Sequence, residues 1–502
     1  MNAVDTIYTK FNSTAFTSTP TTATKPPITQ TTPTQDKLTL SSQAKKKPVN
    51  KVAWGAGIVA SLAVLTGGLA IATGKWKPFA KGLVQNNPVA SIIENGLSDS
   101  DLVQKVKASQ EIIQKQINYR VAVRKLGKAD SDLLEPLQGV ETLAQAKHTV
   151  HGDLHASLIK NIEHLIGQGL LYIKNKDDYQ KLLTLHQELS SNLNTAISET
   201  NEQSKIAKQL LALDTLIENA LDTDPRLLKD KTVTYIGDEL ADRGVWDMYN
   251  LKIWQRIHEK NPKVLKFLWS NHTLAGFSYL KKGKVTISPK QASSQIYPDL
   301  LKNDLEKLKL GIFKELNKLY DDHFKRMQLV AYDPDKNHLM MHAPMSPQIE
   351  AQWRQSLSRI MKETHGMTDA QLNQPVSKWT KAQYKAFIDE MNKKTQEAIA
   401  HTMNPSESKL SNTTAESVFK LVNATVWNRH PSTKEFQNLG EVGLYHPSLN
   451  DYTHGHTSGN EYGLAIENKL YIHNLDNQIR KGHESKPYGS SPVLPSRVLI
   501  IE

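Results

Sequence analysis

The sequence predicts an α/β fold, and two observations lead to that class. Short runs rich in β-branched and aromatic residues alternate with longer segments whose apolar residues recur at helical spacing. Several of the short runs end in clusters of Asp, His and Asn, and the carboxyl ends of strands are where α/β folds build their sites. These observations therefore indicate both the fold class and the place to look for a function.

The composition limits the classes of protein. With 502 residues, 38% of them hydrophobic, the chain can form one large domain with appendages, or two or three domains. It contains no cysteine, which excludes disulfides, thiolate metal sites and cysteine nucleophiles. The net charge is +11, but residues 1–51 hold seven Lys and two Asp and so contribute +5 of it. Because no stripe of Lys and Arg with interleaved aromatics follows, the sequence predicts no specific nucleic-acid partner.

The N-terminal region divides into two segments. Residues 1–50 are rich in Thr, Ser, Pro, Gln and Lys, and are predicted to be disordered because they offer little apolar surface. Residues 52–74 carry no charge, are flanked by Lys51 and Lys75, and have Trp54 and Trp76 near their ends. As a helix they would span about 34 Å, enough to cross a bilayer core of about 30 Å. This predicts a transmembrane or membrane-associated helix, with its orientation left open by lysines on both sides; a buried or self-associating Gly/Ala-rich helix is the alternative.

Two helical regions follow. Residues 85–146 are predicted to be a helical region, because apolar residues between 98 and 137 recur largely at helical spacing. Residues of about 179–221 have similar periodicity with Ser, Asn and Glu near the middle, which predicts a helical hairpin. The hairpin offers a surface for a protein partner, or it packs without a chemical role.

Several short strand-like runs end in polar clusters: HTVHGDLH, TVTYIGDE, VLKFLWSNH, HLMMHAP and LYIHNLD. A single His at a strand end is more often structural than a ligand, but Asp, His and Asn recur in five successive clusters. These clusters are residues 152–155, 237–244, 271–272, 342 and 454–456. Carboxylate, imidazole and amide donors without thiolates suit Mn²⁺, Fe or Zn²⁺. Two such ions about 4 Å apart can hold both oxygens of an in-line displacement, which is the chemistry of phosphate-ester hydrolysis.

The motifs resemble a known family. The order GDLH, GDELADRG, SNH, HAP and HGHT is similar to the metallophosphoesterase superfamily. The pattern GD-x-x-x-DRG, with WNR at Trp427 to Arg429, resembles its phosphoprotein phosphatase branch, the serine/threonine type. The resemblance covers residues 147–502. It implies a four-layer α/β/β/α sandwich over that range, interrupted by the helical hairpin, and two divalent metal ions, with Mn²⁺ expected and Fe or Zn²⁺ as alternatives.

The resemblance also implies residue roles. Asp153 and His155 would hold the first metal, and Asp238 would bridge both metals. Asn271, His342 and His456 would complete the second. His272 would protonate the leaving oxygen, oriented by Asp242. Arg243 and Arg429, with Asn271, would bind the phosphate oxygens. A hydroxide bridging the two metals would attack phosphorus.

Three residues depart from the family pattern. Ala156 stands where glycine is usual, and Ser270 and Thr273 flank the Asn271-His272 pair, with Thr273 in place of a glutamate that braces the first arginine. The inserted hairpin resembles certain phosphatases that intracellular bacterial pathogens inject into host cells, some acting on phosphotyrosine. Delivery to a host cell is therefore a further expectation.

The predicted function is hydrolysis of phosphomonoesters on phosphoproteins, with the choice between Ser/Thr and Tyr left to surrounding loops such as 345–420. One alternative is a small phosphoester or dinucleoside polyphosphate hydrolase, with Trp246, Tyr249 and Trp269 available to stack on a base. The other is a membrane-tethered scaffold that uses a phosphatase-like domain for binding.

Overall fold

The computed structural model of the chain describes residues 97–114, 119–124, 135–136, 140–152, 154–196, 200–240, 246–282, 312–428, 439–455, 463–466, 470–475 and 496–501. All of these lie in one compact unit, residues 67–502. The predicted disordered segment 1–50 and the predicted membrane helix 52–74 are outside the described ranges. Within those ranges, no helix has the length and apolar character needed to cross a membrane.

The described residues form twelve α-helices, numbered here in chain order: α1 Asp99–Gln114, α2 Val140–Gln145, α3 Leu158–Gly167, α4 Lys176–Ala196, α5 Thr200–Ala220, α6 Asp247–Lys260, α7 Asn271–Lys282, α8 Ile312–Phe324, α9 Pro347–His365, α10 Asp369–Leu372, α11 Lys381–Met403 and α12 Asn412–Val426. Helices α4 and α5 pack on each other where the sequence predicts a hairpin.

Thirteen strands are described: β1 Tyr119–Arg124, β2 Glu135–Pro136, β3 His148–His151, β4 Tyr172–Ile173, β5 Leu221–Asp222, β6 Thr232–Tyr235, β7 Leu265–Phe267, β8 Val330–Asp333, β9 His338–Met341, β10 Asp451–His454, β11 Gly463–Ile466, β12 Leu470–Asn474 and β13 Ser496–Ile501. They form two main sheets, in the orders β2-β1-β13-β3-β6-β7 (sheet 1) and β11-β12-β10-β9-β8 (sheet 2), while β4 pairs with β5 alone.

Each main sheet contains three adjacent parallel strands. In sheet 1, β3, β6 and β7 are parallel, and β13 joins them antiparallel to β3. In sheet 2, β9, β10 and β12 are parallel, with β8 and β11 antiparallel at the edges. Parallel strands are expected to be buried on both faces, and β9 is buried at all four positions. The predicted α/β class is confirmed.

The two sheets pack face to face. Val150, Ile236 and Leu268 of sheet 1 form one buried cluster with three apolar residues of sheet 2, Ala331, Met340 and Leu475. Gly152 permits this approach, since a Cβ there would lie 1.9 Å from the Leu475 carbonyl oxygen.

Helices cover the outer faces of both sheets. On sheet 1, Tyr235 of β6 packs its ring against Trp254 of α6, with the ring centroids 5.2 Å apart. On sheet 2, Asn392 of α11 donates from Nδ2 to the Val330 carbonyl of β8 at 2.7 Å. The layers therefore follow the order helix, sheet, sheet, helix.

Two predictions require correction. Residues 119–124 lie in the region 85–146 that the sequence predicts to be helical, but they form β1, because YRVAVR pairs over its whole length with the distant strand β13. Residues 345–420, expected to be loops, are mostly the helices α9 to α12, which form a helical lobe inserted between β9 and β10. The first error arises because the pairing of β1 with a distant strand is not visible in local apolar spacing. The second arises because that spacing does not reveal the capping residues that begin the helices.

Candidate active site

The carboxyl ends of three parallel strands of sheet 1 lie side by side. β3, β6 and β7 run in the same direction, and their last residues are in register. The segments that follow them must meet at one edge of the sheet. Of the predicted site residues in these segments, the structure describes four: His155, Asp238, Asn271 and His272.

Sheet 2 contributes His342 to the same place. His342 follows β9 directly and lies two residues beyond Met340, which faces the cluster between the sheets. Side chains alternate along a strand, so His342 also points toward sheet 1. Its Nδ1 lies 3.1 Å from the Ile236 carbonyl oxygen, immediately after β6. The two sheets thus converge on one site.

The converging side chains are within hydrogen-bonding or ion-pairing range. His342 Nε2 lies 2.8 Å from Asn271 Oδ1 and 3.6 Å from Asp238 Oδ1. His272 Nε2 lies 3.8 Å from Asp238 Oδ2, and the rings of His155 and His272 have centroids 5.8 Å apart. Asp238 is only 2% exposed, whereas the His272 side chain is 13% exposed. His272 is therefore the member of the group most open to solvent.

The backbone at these strand ends adopts unusual conformations. Asp238, His155 and Ala156 all have left-handed backbones, with φ of 47°, 48° and 57°. The two turns hold each other, because His155 N donates to the Asp238 carbonyl at 2.5 Å and Ala156 N donates to the Glu239 carbonyl at 3.1 Å. Non-glycine residues in this region cost about 1–3 kcal/mol each and cluster at functional sites. Ala156, where the family usually has glycine, occupies a conformation that glycine adopts at lower cost.

Gly237 makes room for His342. Its φ is +104°, and a Cβ built there would lie 2.6 Å from His342 Nδ1 and 2.7 Å from the Ser270 Cβ. A side chain at position 237 would push the imidazole away from Asp238. The glycine is thus required both by its backbone conformation and by the close approach.

The donor set fits a divalent metal ion. Because the Ile236 carbonyl can only accept, His342 Nδ1 carries the proton, and Nε2 presents a lone pair to Asn271 Oδ1. Two ligand atoms bound to one ion at about 2.1 Å and at right angles lie about 3 Å apart, which agrees with this separation. The buried Nδ2 of Asn271 has no hydrogen-bond partner. Without an ion, turning the amide over would let Nδ2 donate to Nε2.

Part of the predicted site is outside the described residues. Five predicted residues are in this category, namely Asp153, Asp242, Arg243, Arg429 and His456, and their roles stay predictions. In the ranges that the structure does describe, no group of three or more His, Asp or Glu side chains could hold a metal ion. The metal interpretation therefore depends on the fit of Asp238, Asn271 and His342 and on ligands that are not described.

The aromatic residues near the motifs do not form a base-binding surface. Trp246, Tyr249 and Trp269 are each completely buried, and Trp269 packs on Phe277 and Phe324. They belong to the core, so they cannot stack on a nucleobase. This removes the observation that favoured a dinucleoside polyphosphate hydrolase.

Sequence reasoning missed a buried acid beside the site. Glu239 follows Asp238 and is fully buried, and its Oε1 lies 2.9 Å from His323 Nε2 on α8. Burial raises the pKa of Glu239 to about 8 and lowers the pKa of His323 to about 3. Glu239 is visible in the quoted motif, but nothing in the sequence of α8 marks His323 as its partner.

Comparisons with known proteins agree with phosphatase chemistry. Residues 232–481 match the family model described as the WipA-like phosphatase domain. This range begins at β6 and contains Asp238, Asn271, His272 and His342. No curated protein matches the sequence significantly. The match supports a phosphatase as the activity of this chain.

Solved structures match as well. One of them is the crystal structure of the phosphatase domain from the Legionella effector WipB, which is 20% identical in sequence, with a TM-score of 0.43; the alignment covers 62% of this chain and 98% of that one. At this level of similarity we derive nothing about function from it.

Proposed function

We propose that the protein is a metal-dependent phosphatase that hydrolyses phosphomonoesters, with phosphoproteins as its substrates. One observation carries the proposal. Strand ends from two different sheets bring His342 Nε2 to 2.8 Å from Asn271 Oδ1 and 3.6 Å from Asp238 Oδ1, with His272 at the exposed side. The contact lies within the segment that matches a phosphatase domain family.

In this proposal the metal ligands would come from both sheets. Asp153 and His155 would be ligands of one ion, and Asn271, His342 and His456 would be ligands of a second. Asp238 would be a ligand of both. When bound, two Mn²⁺, Fe or Zn²⁺ ions would lower the pKa of a water molecule to near neutral and offset the charge of the phosphate. The Ile236 carbonyl fixes the His342 ring in the tautomer that ligation requires.

His272 acts as the general acid in this proposal. It lies in the first turn of α7, where its backbone N–H donates to Asp238 Oδ1 at 3.4 Å. The His272 side chain is 13% exposed, whereas the His342 side chain is 1% exposed. That position suits a group that protonates a leaving oxygen arriving from solvent. Asp242 would orient the ring, and Arg243 and Arg429 would bind the phosphate oxygens.

The helical lobe supplies one wall beside this group. Trp427, at the end of α12, has its ring centroid 6.4 Å from that of His272. We infer that this lobe, rather than loops, contacts the rest of the substrate and sets the preference between phosphorylated Ser/Thr and Tyr.

The test is hydrolysis of para-nitrophenyl phosphate by the full chain, stripped of metal and then supplied with Mn²⁺, Fe²⁺ or Zn²⁺. We expect metal-dependent turnover that falls at least ~100-fold in Asp238→Asn. The matched control is Asp451→Asn. Asp451 is a buried aspartate at the first position of β10, the end of the strand away from the predicted ligand His456, so this variant should retain activity. Phosphoserine and phosphotyrosine peptides would then define the substrate class.

A different outcome would support the scaffold alternative. If the folded protein had no turnover with any of the three metals, and Asp238→Asn kept its biological effect, the domain would serve binding. Membrane association through residues 52–74, a protein partner at the helical hairpin and delivery to a host cell remain separate predictions. A reporter fusion followed in infected cells would test delivery, and fractionation with and without residues 52–74 would test membrane association.

A further inference from the structure

A chain of buried hydrogen bonds lies directly behind the site. Glu239 Oε1 accepts from Thr273 Oγ1 at 3.3 Å and lies 2.9 Å from His323 Nε2. Ser270 Oγ in turn donates to Thr273 Oγ1 at 2.9 Å. The chain therefore links the segment after β6, the start of α7 and the last turn of α8.

This chain encloses the first turn of α7. Ser270 precedes the helix, and its Oγ accepts from the backbone N–H of Thr273 at 3.0 Å, as an N-cap does. Asn271 and His272 lie between the two bonded residues. Anchoring Thr273 to Glu239 thus fixes the position of both site residues relative to Asp238.

The far end of the chain is rigid. The His323 ring stacks on Trp254 at a centroid distance of 5.6 Å and meets Phe267 edge-on at 4.5 Å. His323 and Glu239 are both at most 2% exposed. Two aromatic side chains therefore hold the imidazole that anchors Glu239.

One oxygen of Glu239 serves both partners. A carboxyl oxygen has two lone pairs. Oε1 of Glu239 can therefore accept from Thr273 Oγ1 and from the Nε2–H tautomer of His323 at the same time.

We propose that Glu239, braced by His323, is a positioning residue that holds the first turn of α7, and with it Asn271 and His272, against Asp238. The hydrogen-bonding part of this inference is independent of the activity. The kinetic part rests on the proposed function. Ser270 and Thr273, which depart from the family pattern, are members of this hydrogen-bonded chain.

The first test is hydrogen exchange, measured by mass spectrometry on metal-free full-length protein. Glu239→Ala should speed exchange of the amides in α7 by about 10-fold or more, because Thr273 loses its anchor. Glu239→Gln should exchange within about 3-fold of the wild type, since the amide oxygen can replace Oε1 as the acceptor. Unchanged exchange in α7 of Glu239→Ala would overturn the proposal.

Two further variants keep the test decisive. Thr273→Val removes the linking hydroxyl with little change in shape and should speed exchange in α7 as Glu239→Ala does, so it replaces that variant if Glu239→Ala does not fold. Glu350→Ala is the matched control. Glu350 is a buried glutamate of α9 whose carboxylate accepts from Val376 N of the helical lobe at 3.2 Å and from Leu444 N, in the segment before β10, at 2.9 Å. Its effect on exchange should be confined to the lobe and that segment, and should not extend to α7.

The second test is steady-state kinetics of the metal-loaded variants. Glu239→Ala should lower kcat by about 10- to 100-fold with KM within about 2-fold, because residues that orient a metal site contribute on this scale. Glu239→Gln should restore most of kcat, and Glu350→Ala should keep it. Equal losses in all three variants would indicate a structural role and overturn the proposal. If the wild type itself has no turnover, the proposed function fails, and the exchange experiment still decides the positioning role.

Discussion

The strand-end site and the helical lobe follow the rules of local structure to different degrees. In the lobe, four helices each begin with a hydroxyl side chain that accepts from the backbone N–H three residues later: Ser346, Thr368, Thr380 and Ser411. Helix α9 also ends at Gly366, whose φ of 65° is the conformation expected there.

The site departs from these rules. Asp238, His155 and Ala156 have left-handed backbones without being glycine, and a glutamate is fully buried beside Asp238. Such departures are retained where surrounding structure enforces them, and they are typical of functional sites. In the lobe, the local sequence favours the helices that form. At the strand ends, the backbone adopts less stable conformations that bring the site side chains together.

The largest expected effect contrasts two glycines. Gly237→Ala at the site should lower activity by about 100-fold and stability by about 2–4 kcal/mol, since the new Cβ would meet His342 and the backbone φ is positive. Gly366→Ala in the lobe, where nothing lies within 4 Å of a built Cβ, should cost only about 1 kcal/mol and leave turnover unchanged. Activity and thermal unfolding of both variants would check this. Equal activity in the two variants would break the comparison.

A buried histidine outside both regions tests how stability depends on pH. Burial lowers the pKa of His186, packed 4.5 Å from Trp246, to about 3. In the unfolded state His186 takes up a proton near pH 6.5, and in the folded state it does not. The contribution of neutral His186 to the free energy of unfolding is therefore complete above pH 6.5 and is lost as the pH falls toward 3. At pH 5 the loss is about 2 kcal/mol from this group.

The His186→Leu variant isolates that contribution. Its unfolding free energy should fall less steeply between pH 6.5 and 5 than that of the wild type, as measured by urea denaturation at each pH. Parallel curves for the two proteins would show that His186 does not titrate differently on unfolding. A shallower pH dependence in the variant would sharpen the comparison, because it would show that a buried ionisable side chain outside the site also lowers stability at acid pH.

Removing a cap from the lobe should have a smaller effect. Thr380→Ala deletes the side chain that accepts from Gln383 N and takes part in a capping box, so we expect a loss of about 1 kcal/mol. Thermal unfolding and the turnover of para-nitrophenyl phosphate would be measured together. A large fall in turnover per folded molecule would mean that the lobe shapes the site more directly than we conclude.

The smallest effect should be a gain in stability at the site. Ala156→Gly relieves the left-handed backbone at φ 57° and should raise the unfolding free energy by about 0.5–1 kcal/mol with activity retained. Differential scanning calorimetry would detect the corresponding rise in Tm. A fall in Tm would show that the strain is absorbed elsewhere or that chain entropy outweighs it.

The sequence predicts the fold well where its signals are local. The runs HTVH, TVTY and HLMM form strands as expected, and the periodic segments near 179–221 form paired helices. It fails for β1, because that strand is specified by pairing with residues more than 370 positions away rather than by its own pattern. The helices of the lobe carry capping signals at Ser346, Thr380 and Ser411 that periodicity alone does not reveal.

The candidate site is predictable only in part. Asp238, Asn271 and His342 can be selected from strand-end motifs, because parallel strands bring their carboxyl ends together. The Glu239–His323 pair cannot be found this way, since it depends on how α8 packs beneath β7. A buried polar partner becomes visible only when the tertiary contacts are known.

The central claim is that both sheets supply ligands to one pair of metal ions. Isothermal titration of metal-stripped full-length protein with Mn²⁺ tests it most directly, with wild type, His342→Ala and Asp238→Asn compared side by side. The account predicts two ions per chain for the wild type, one for His342→Ala, and greatly weakened binding of both for Asp238→Asn. Absence of binding to the folded wild type, or two undisturbed sites in both variants, would contradict it.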